Sequence, residues 1–160
     1  KKEDNKLWDV YSYSDSDYTR YKETIVSISG FCVFVMGCLV SWKLRGQKNV
    51  TLSLTKAEYV AISKLCAELL IVRMILEFVG KKINYPVIVC YNNVGAIFLA
   101  HNTKTSHWTK HIDTRYHFVR GYVEDNVVKI VFVKSADNQA DPCTKNVGVE
   151  SFKKNEVYQE

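Results

Sequence analysis

The chain has 160 residues, 47% hydrophobic and 24% charged, which bounds it as one ordinary domain with a real core and excludes a disordered or low-complexity chain. Its net charge of +5 permits a polyanionic partner without requiring one. The longest apolar run, Leu69 to Val72, is too short for a bilayer span, and no signal-peptide pattern opens the chain. No membrane partner is therefore expected.

The first element is Leu7 to Tyr18, whose alternation and aromatic content read as a strand. One face carries Trp8, Val10, Ser12 and Ser14; the other carries Asp9, Tyr11, Tyr13, Asp15 and Asp17. Acids on one face at a strand end are costly unless solvated, paired or bound to a cation. Ile28 to Met36 reads as a second strand, and Gly37 then Cys38 to Lys43 as a third. The short Gly37 connection makes these neighbours antiparallel. Leu44 to Asn49 reads as a basic, Gly-containing loop with Arg45 and Lys48.

Thr55-Lys56-Ala57-Glu58 fits a capping box, with Thr55 at the N-cap of a helix that runs to about Val79 and stops at Gly80. Its polar stripe is narrow, so the helix is expected to pack on more than one side. Val87 to Tyr91 is a continuous apolar run, the pattern of an interior parallel strand. Asn92-Asn93 ends it. Gly95 to Asn102 reads as a short helix, Lys104 to Thr109 as a polar loop with His107 and Trp108, and Lys110 to Glu124 as an amphipathic helix. Asp125-Asn126 is a turn, Val127 to Val133 a last strand, and Ala136 to about Thr144 a final helical turn. Three antiparallel strands followed by crossover units predict an α/β fold: a mixed five-stranded sheet with helices on both faces.

The five cysteines, Cys32, Cys38, Cys66, Cys90 and Cys143, are scattered and form no C-x-x-C pair. That predicts reduced thiols, no zinc site and an intracellular protein, in cytoplasm, virus-like particle or nucleus. The chain lacks an initiator Met, which makes a single domain over residues 1–160, excised from a longer protein, the expected organisation.

In such a sheet, ligands gather at the carboxyl ends of the central strands. Asp15, Glu58 at the start of the long helix and Asp141 at the start of the last are the acids placed there, with Asn92 where a fourth would stand. Three or four converging carboxylates can hold two divalent ions for in-line phosphoryl displacement. Each also has a structural reading. Glu58 completes the capping box, Asp141 complements a helix dipole, and Asp17 is a solvated acid. His111, Arg115 and His117 read as packing and surface polar groups. Trp42 and Trp108 suit stacking on a nucleic acid, and Trp42 equally suits core packing.

Six segments resemble one family in order along nearly the whole chain. They are Tyr13-Ser14-Asp15-Ser16-Asp17; Ser29-Gly30-Phe31; Val40-Ser41-Trp42-Lys43; Thr55 to Ala61; Lys110 to Arg120; and Ala136 to Lys145. Together they resemble the ribonuclease H domain of copia-type LTR retrotransposon polyproteins. The resemblance implies a ribonuclease H fold, hydrolysis of the RNA strand of RNA/DNA hybrids, Mg²⁺ (or Mn²⁺) as cofactor, and a reverse transcriptase domain upstream in the same polyprotein. It maps the catalytic positions onto Asp15, Glu58, Asn92 and Asp141, with Asp15, Glu58 and Asp141 as metal ligands. Lys43, Arg45, Lys48, Lys110 and Arg115 are the leading candidates for phosphate contacts, with Lys104 and Arg120 beside them.

The chain departs from the family at position 92, where Asn stands for Asp. An amide lacks the charge that holds a hard dication, and it donates where a ligand should accept. Cleavage is therefore expected to be impaired or absent. Lys56 in place of Glu, and the missing Arg-Lys-Ser-Thr run near Thr24 to Ile28, favour natural decay over deliberate silencing. The alternative reading is a degenerate or domesticated module that binds nucleic acid or protein without hydrolysis. Oligomeric state is not legible.

Overall fold

The computed structural model describes residues 6–21, 26–46, 54–95, 97 and 113–144; the side chains of 17–21, 26–27, 54–58, 113–116 and 142–143 are outside that description. Its strands are β1 (Leu7–Trp8), β2 (Val10–Tyr21), β3 (Val26–Val35), β4 (Cys38–Gly46), β5 (Lys82–Ile83), β6 (Val87–Tyr91) and β7 (Val128–Phe132). Its helices are α1 (Leu54–Phe78), α2 (Asp113–Glu124) and the short α3 (Asp141–Thr144), with a 3₁₀ turn at Ser135–Asp137. Val94, Gly95 and Ile97 are helical, the described part of the short helix expected after β6.

Five strands form one sheet in the order β4-β3-β2-β6-β7. β2, β3 and β4 are antiparallel neighbours, while β6 runs parallel to both β2 and β7. This is the mixed five-stranded sheet the sequence predicts. β6 lies between two parallel partners, as its unbroken apolar run requires.

Alternation along the strands sorts two packing layers. Val10, Phe31, Val33, Val35 and Val89 belong to the main core with Tyr59, Ile62, Leu65 and Cys66 of α1 and Val119 of α2. Cys32, Phe34 and Ala140 form a smaller cluster, against which Tyr11 and Tyr13 pack. Tyr11 stacks on Phe34 with ring centroids 5.1 Å apart. Fully burying each large apolar side chain contributes on the order of 2 kcal/mol.

Several boundaries differ from the sequence reading. The first strand breaks at Asp9. Leu7 and Trp8 pair instead with Lys82 and Ile83 in a separate two-stranded parallel ribbon. Met36 belongs to the turn and not to the strand, because Met36 and Gly37 both take positive φ, 52° and 84°. That geometry matches the right-handed twist of the flanking strands.

β4 runs on through Leu44, Arg45 and Gly46, which the sequence suggested were loop. Charged side chains are tolerated there because β4 is an edge strand. Helix α1 begins at Leu54, so Thr55 lies inside the first turn and not ahead of it. Glu58 consequently enters the second turn. At its other end α1 closes with Gly80 at φ 75°, Gly80 N–H donating to Glu77 O (3.0 Å) and Lys81 N–H to Leu76 O (2.9 Å).

Residues 59–63 of α1 are buried in succession, so this part of the helix packs on more than one side as expected, but the packing narrows toward its C-terminal end. Ile71, Met74, Ile75, Phe78 and Val79 are exposed, Phe78 by 89%. No described element covers that flank, although the opposite side packs on the sheet and α2.

Candidate active site

The strand register brings Asp15 and Asn92 together. The last parallel pair between β2 and β6 is Ser14 with Tyr91, so the next residue on each strand is Asp15 and Asn92. Asn92 directly follows the end of β6, whereas Asp15 lies inside β2, which runs on to Tyr21, at the point where its pairing with β6 stops. Asp15 is fully buried, at 0% exposure. A buried carboxylate needs hydrogen-bond donors or a counter-charge.

The chain supplies donors. Asn92 Nδ2 donates to Asp15 Oδ1 at 3.0 Å and to Ser135 Oγ at 3.2 Å. The Thr144 hydroxyl donates to Asp15 Oδ2, from the last residue of α3. Asn92 Oδ1 is buried and has no hydrogen-bond partner among the described residues. With Oδ1 turned toward Asp15, two acceptors would face each other, so the network fixes the amide with its NH₂ inward.

Asn138 anchors the segment that carries Asp141. It is buried; its Nδ2 donates to Ser14 O at 3.0 Å, and its Oδ1 accepts from Ala140 N–H at 3.1 Å. Asp141 N–H donates to Asn138 O at 3.0 Å, and Thr144 Oγ lies 3.3 Å from Asp141 O. Asp141 is half-buried in the first turn of α3. The structure thus gathers Asp15, Asn92 and Asp141 at one end of the sheet. Glu58 is placed in α1, with its side chain outside the described residues.

Sequence reasoning assigned no role to Ser135, Asn138 or Thr144. The usable signal was the block from Ala136 to Lys145, in which a buried Asn can both donate and accept.

The basic candidates divide. Lys43 and Arg45 are exposed on one face of β4 and line a groove of about 270 Å³ with Ser29, Phe31, Lys64, Ala67, Glu68 and Ile71. Glu68 on its far wall accepts from Ser41 at 2.8 Å. Lys48, Lys104, Lys110 and Trp108 lie outside the described residues, as does the Arg115 side chain. Arg120 pairs with Glu124 at 2.7 Å, a surface contact on α2. Trp42 is 67% exposed, which removes the core-packing reading.

The described donor set does not fit a hard dication. Both Asp15 oxygens accept from protein donors, and position 92 presents N–H to Asp15 where a ligand would present oxygen. No group of three or more His, Cys, Asp and Glu side chains converges among the described residues.

Comparisons with known proteins place this geometry. The chain is 32% identical over 143 residues to a retrovirus-related Pol polyprotein of transposon RE1 from Arabidopsis thaliana, covering 89% of this chain and 10% of that relative. It is 33% identical over 140 residues to the corresponding polyprotein of transposon TNT 1-94 from Nicotiana tabacum, 88% of this chain and 10% of the relative. Among solved structures, LC11-RNase H1, in complex with an RNA/DNA hybrid, superposes with a TM-score of 0.60 at 14% identity, over 84% of this chain and 92% of that one. The chain belongs with the retrovirus-related Pol polyproteins of transposons, as a domain of ribonuclease H fold.

The prototype foamy virus protease–reverse transcriptase contains a segment of the same fold, with a TM-score of 0.51 and 13% identity, covering 95% of this chain and 20% of that one. The chain spans about 10% of the length of the curated relatives it matches. No protein-family model matches it. Residues 15, 92 and 141 come together from three separate parts of that fold.

Proposed function

We propose that this ribonuclease H-fold domain is the hybrid-processing module of a copia-type LTR retrotransposon polyprotein, with a reverse transcriptase domain upstream and RNA/DNA hybrid as its ligand. Asp15, Glu58 and Asp141 are the carboxylates of its site, and Asn92 occupies the fourth catalytic position. Hydrolysis of the RNA strand is impaired in this chain. The observation that carries the reading is the meeting of residues 15 and 92, joined Nδ2 to Oδ1 at 3.0 Å, where the family resemblance puts two acids.

Lys43 and Arg45 hold phosphates, and Trp42 offers an aromatic face on the same edge strand. Lys48, Lys110 and Arg115 extend the phosphate contacts. Hybrid recognition through shape, 2′-hydroxyls and phosphates needs no base-reading motif. The family cofactor, Mg²⁺ or Mn²⁺, belongs with the complete set of acids and not with the amide present here. The thiols of Cys38, Cys66 and Cys90 among the described residues support an intracellular setting.

A second reading, a binding module without hydrolysis, is favoured by the closed state of Asp15, whose two oxygens are both occupied by protein donors. Incubation of a labelled RNA/DNA hybrid with the chain and with Asn92→Asp, in Mg²⁺ and in Mn²⁺, separates the two. Cleavage by Asn92→Asp alone supports an impaired nuclease. Hybrid binding with no cleavage by either protein supports the binding module. No hybrid binding by either protein removes both nucleic-acid readings.

A further inference from the structure

We propose that the Asn92 amide is a neutral substitute for a divalent cation: it neutralises nothing, but it satisfies the buried Asp15 carboxylate by donation, so the site is complete without metal. The corollary is that restoring an acid at position 92 makes the folded domain depend on divalent cation. This rests on the assignment of residues 15 and 92 to one site and is independent of the substrate.

The geometry supports the substitution at both oxygens of the Asp15 carboxylate. Asn92 Nδ2 has two hydrogens, and both are used, one on Asp15 Oδ1 (3.0 Å) and one on Ser135 Oγ (3.2 Å). Thr144 supplies a donor to the other carboxylate oxygen. The two donors to Asp15 come from Asn92, just past β6, and Thr144 of α3, while Ser135 of the 3₁₀ turn accepts from Asn92, so the clamp ties three parts of the chain to β2. A cation bridging residues 15 and 92 would need Asn92 Oδ1, the atom that faces away. Reaching it requires turning the amide over, which breaks both Nδ2 bonds and sets a donor-free carbonyl oxygen against the carboxylate. The native clamp and a bridging ion therefore exclude each other.

An Asp at position 92 inverts this. Its side chain has the same shape but no donor, and it sets two acceptor groups about 3 Å apart, at the present Nδ2–Oδ1 separation. Two carboxylates that close cannot both ionise without a counter-charge between them. The donor that satisfied Asp15 Oδ1 is gone, and a dication between the two carboxylates takes its place. A ligand that binds only the folded form stabilises it by mass action.

Three proteins test the proposal in thermal unfolding, each in EDTA and in excess MgCl₂, with MnCl₂ titrated calorimetrically as the probe ion. The chain itself is expected to unfold at the same temperature in both buffers and to show no saturable Mn²⁺ binding. Asn92→Asp is expected to lose on the order of 5 °C in EDTA and to regain it in Mg²⁺, with saturable Mn²⁺ binding. Asn92→Ala removes the donor without adding charge, and its loss is expected to be equal in the two buffers.

The proposal is overturned if the unmodified chain is stabilised by Mg²⁺ as strongly as Asn92→Asp. Asn92→Ala as stable as the parent overturns it too, and so does Asn92→Asp remaining unfolded in Mg²⁺. Metal-dependent stability of Asn92→Asp without hybrid cleavage would defeat the hydrolytic reading alone. Cleavage without a difference in metal response would defeat the clamp alone.

Discussion

Asn138 and Ser14 are locked together across 124 residues of chain, the buried amide of Asn138 donating to the Ser14 carbonyl at 3.0 Å. The same side chain accepts from Ala140 N–H, so a single residue fixes the start of α3 against β2 one position before Asp15. Asn138→Ala is expected to cost about 2–3 kcal/mol, because a buried carbonyl and a buried N–H lose their partner at once. Asn138→Asp keeps the acceptor but sets a buried carboxylate against the Ser14 carbonyl, and should cost at least as much as Asn138→Ala. Urea denaturation of the three proteins checks the order.

Thr144→Val keeps the shape of a fully buried residue and deletes the hydroxyl that donates to Asp15 Oδ2. Its expected cost is about 1–3 kcal/mol. Thr144→Ser, which keeps the donor, should cost less than half as much. Equal losses for Val and Ser would place the effect in packing and not in the carboxylate.

Hybrid binding should lose affinity when Lys43 and Arg45 are both changed to Gln, and should lose salt sensitivity in step. Each phosphate contact contributes roughly 0.7–0.9 to the slope of log K against log salt, so the pair should flatten it by about 1 to 2. Arg120→Gln serves as the control, since Arg120 is committed to Glu124. Fluorescence anisotropy over a salt series reads both quantities.

Thiol chemistry separates the cysteines by place in the fold. Cys38 is exposed, whereas Cys32 and Cys66 are buried. Burial pushes the Cys66 thiol up to about 12 from its ordinary 9.0. Iodoacetamide at mildly alkaline pH should therefore modify Cys38 in the native protein and reach Cys66 only on unfolding.

The same shift gives a pH dependence with a definite sign. Above the ordinary thiol pKa the unfolded chain releases the Cys66 proton while the folded chain keeps it, so unfolding is favoured as pH rises. Stability should fall between pH 9 and 12, by at most ~1.4 kcal/mol per pH unit from this group. Cys66→Val should flatten that alkaline limb in denaturation curves taken across the range.

The sheet was legible where sequence carries a period or an unbroken run. Val87 to Tyr91 declared an interior strand, and the short connection at Gly37 declared a hairpin. The meeting of Asp15 with Asn92 followed from placing the two strands side by side, although Asp15 lies inside β2 and not at the strand end the sequence suggested. The two-residue pairing of Leu7–Trp8 with Lys82–Ile83 was not legible, since two residues have no period. Arg45 looked like loop because an edge strand can be as charged as a loop. Thr144 and Asn138 were invisible as supports for Asp15, because their partners lie far away in the chain and only the assembled sheet pairs them.

That separation has a consequence for shortened copies of the chain. Strands β2, β3, β4 and β6 are all complete before residue 92, and they carry the middle of the sheet. A copy ending before Ser135 would retain them, yet it would lose Ser135, Asn138 and Thr144, and with them the cover over Asp15. What is lost by truncation is then the closure of one buried charge before the architecture itself: Asp15 keeps Asn92 on Oδ1 and meets water at Oδ2.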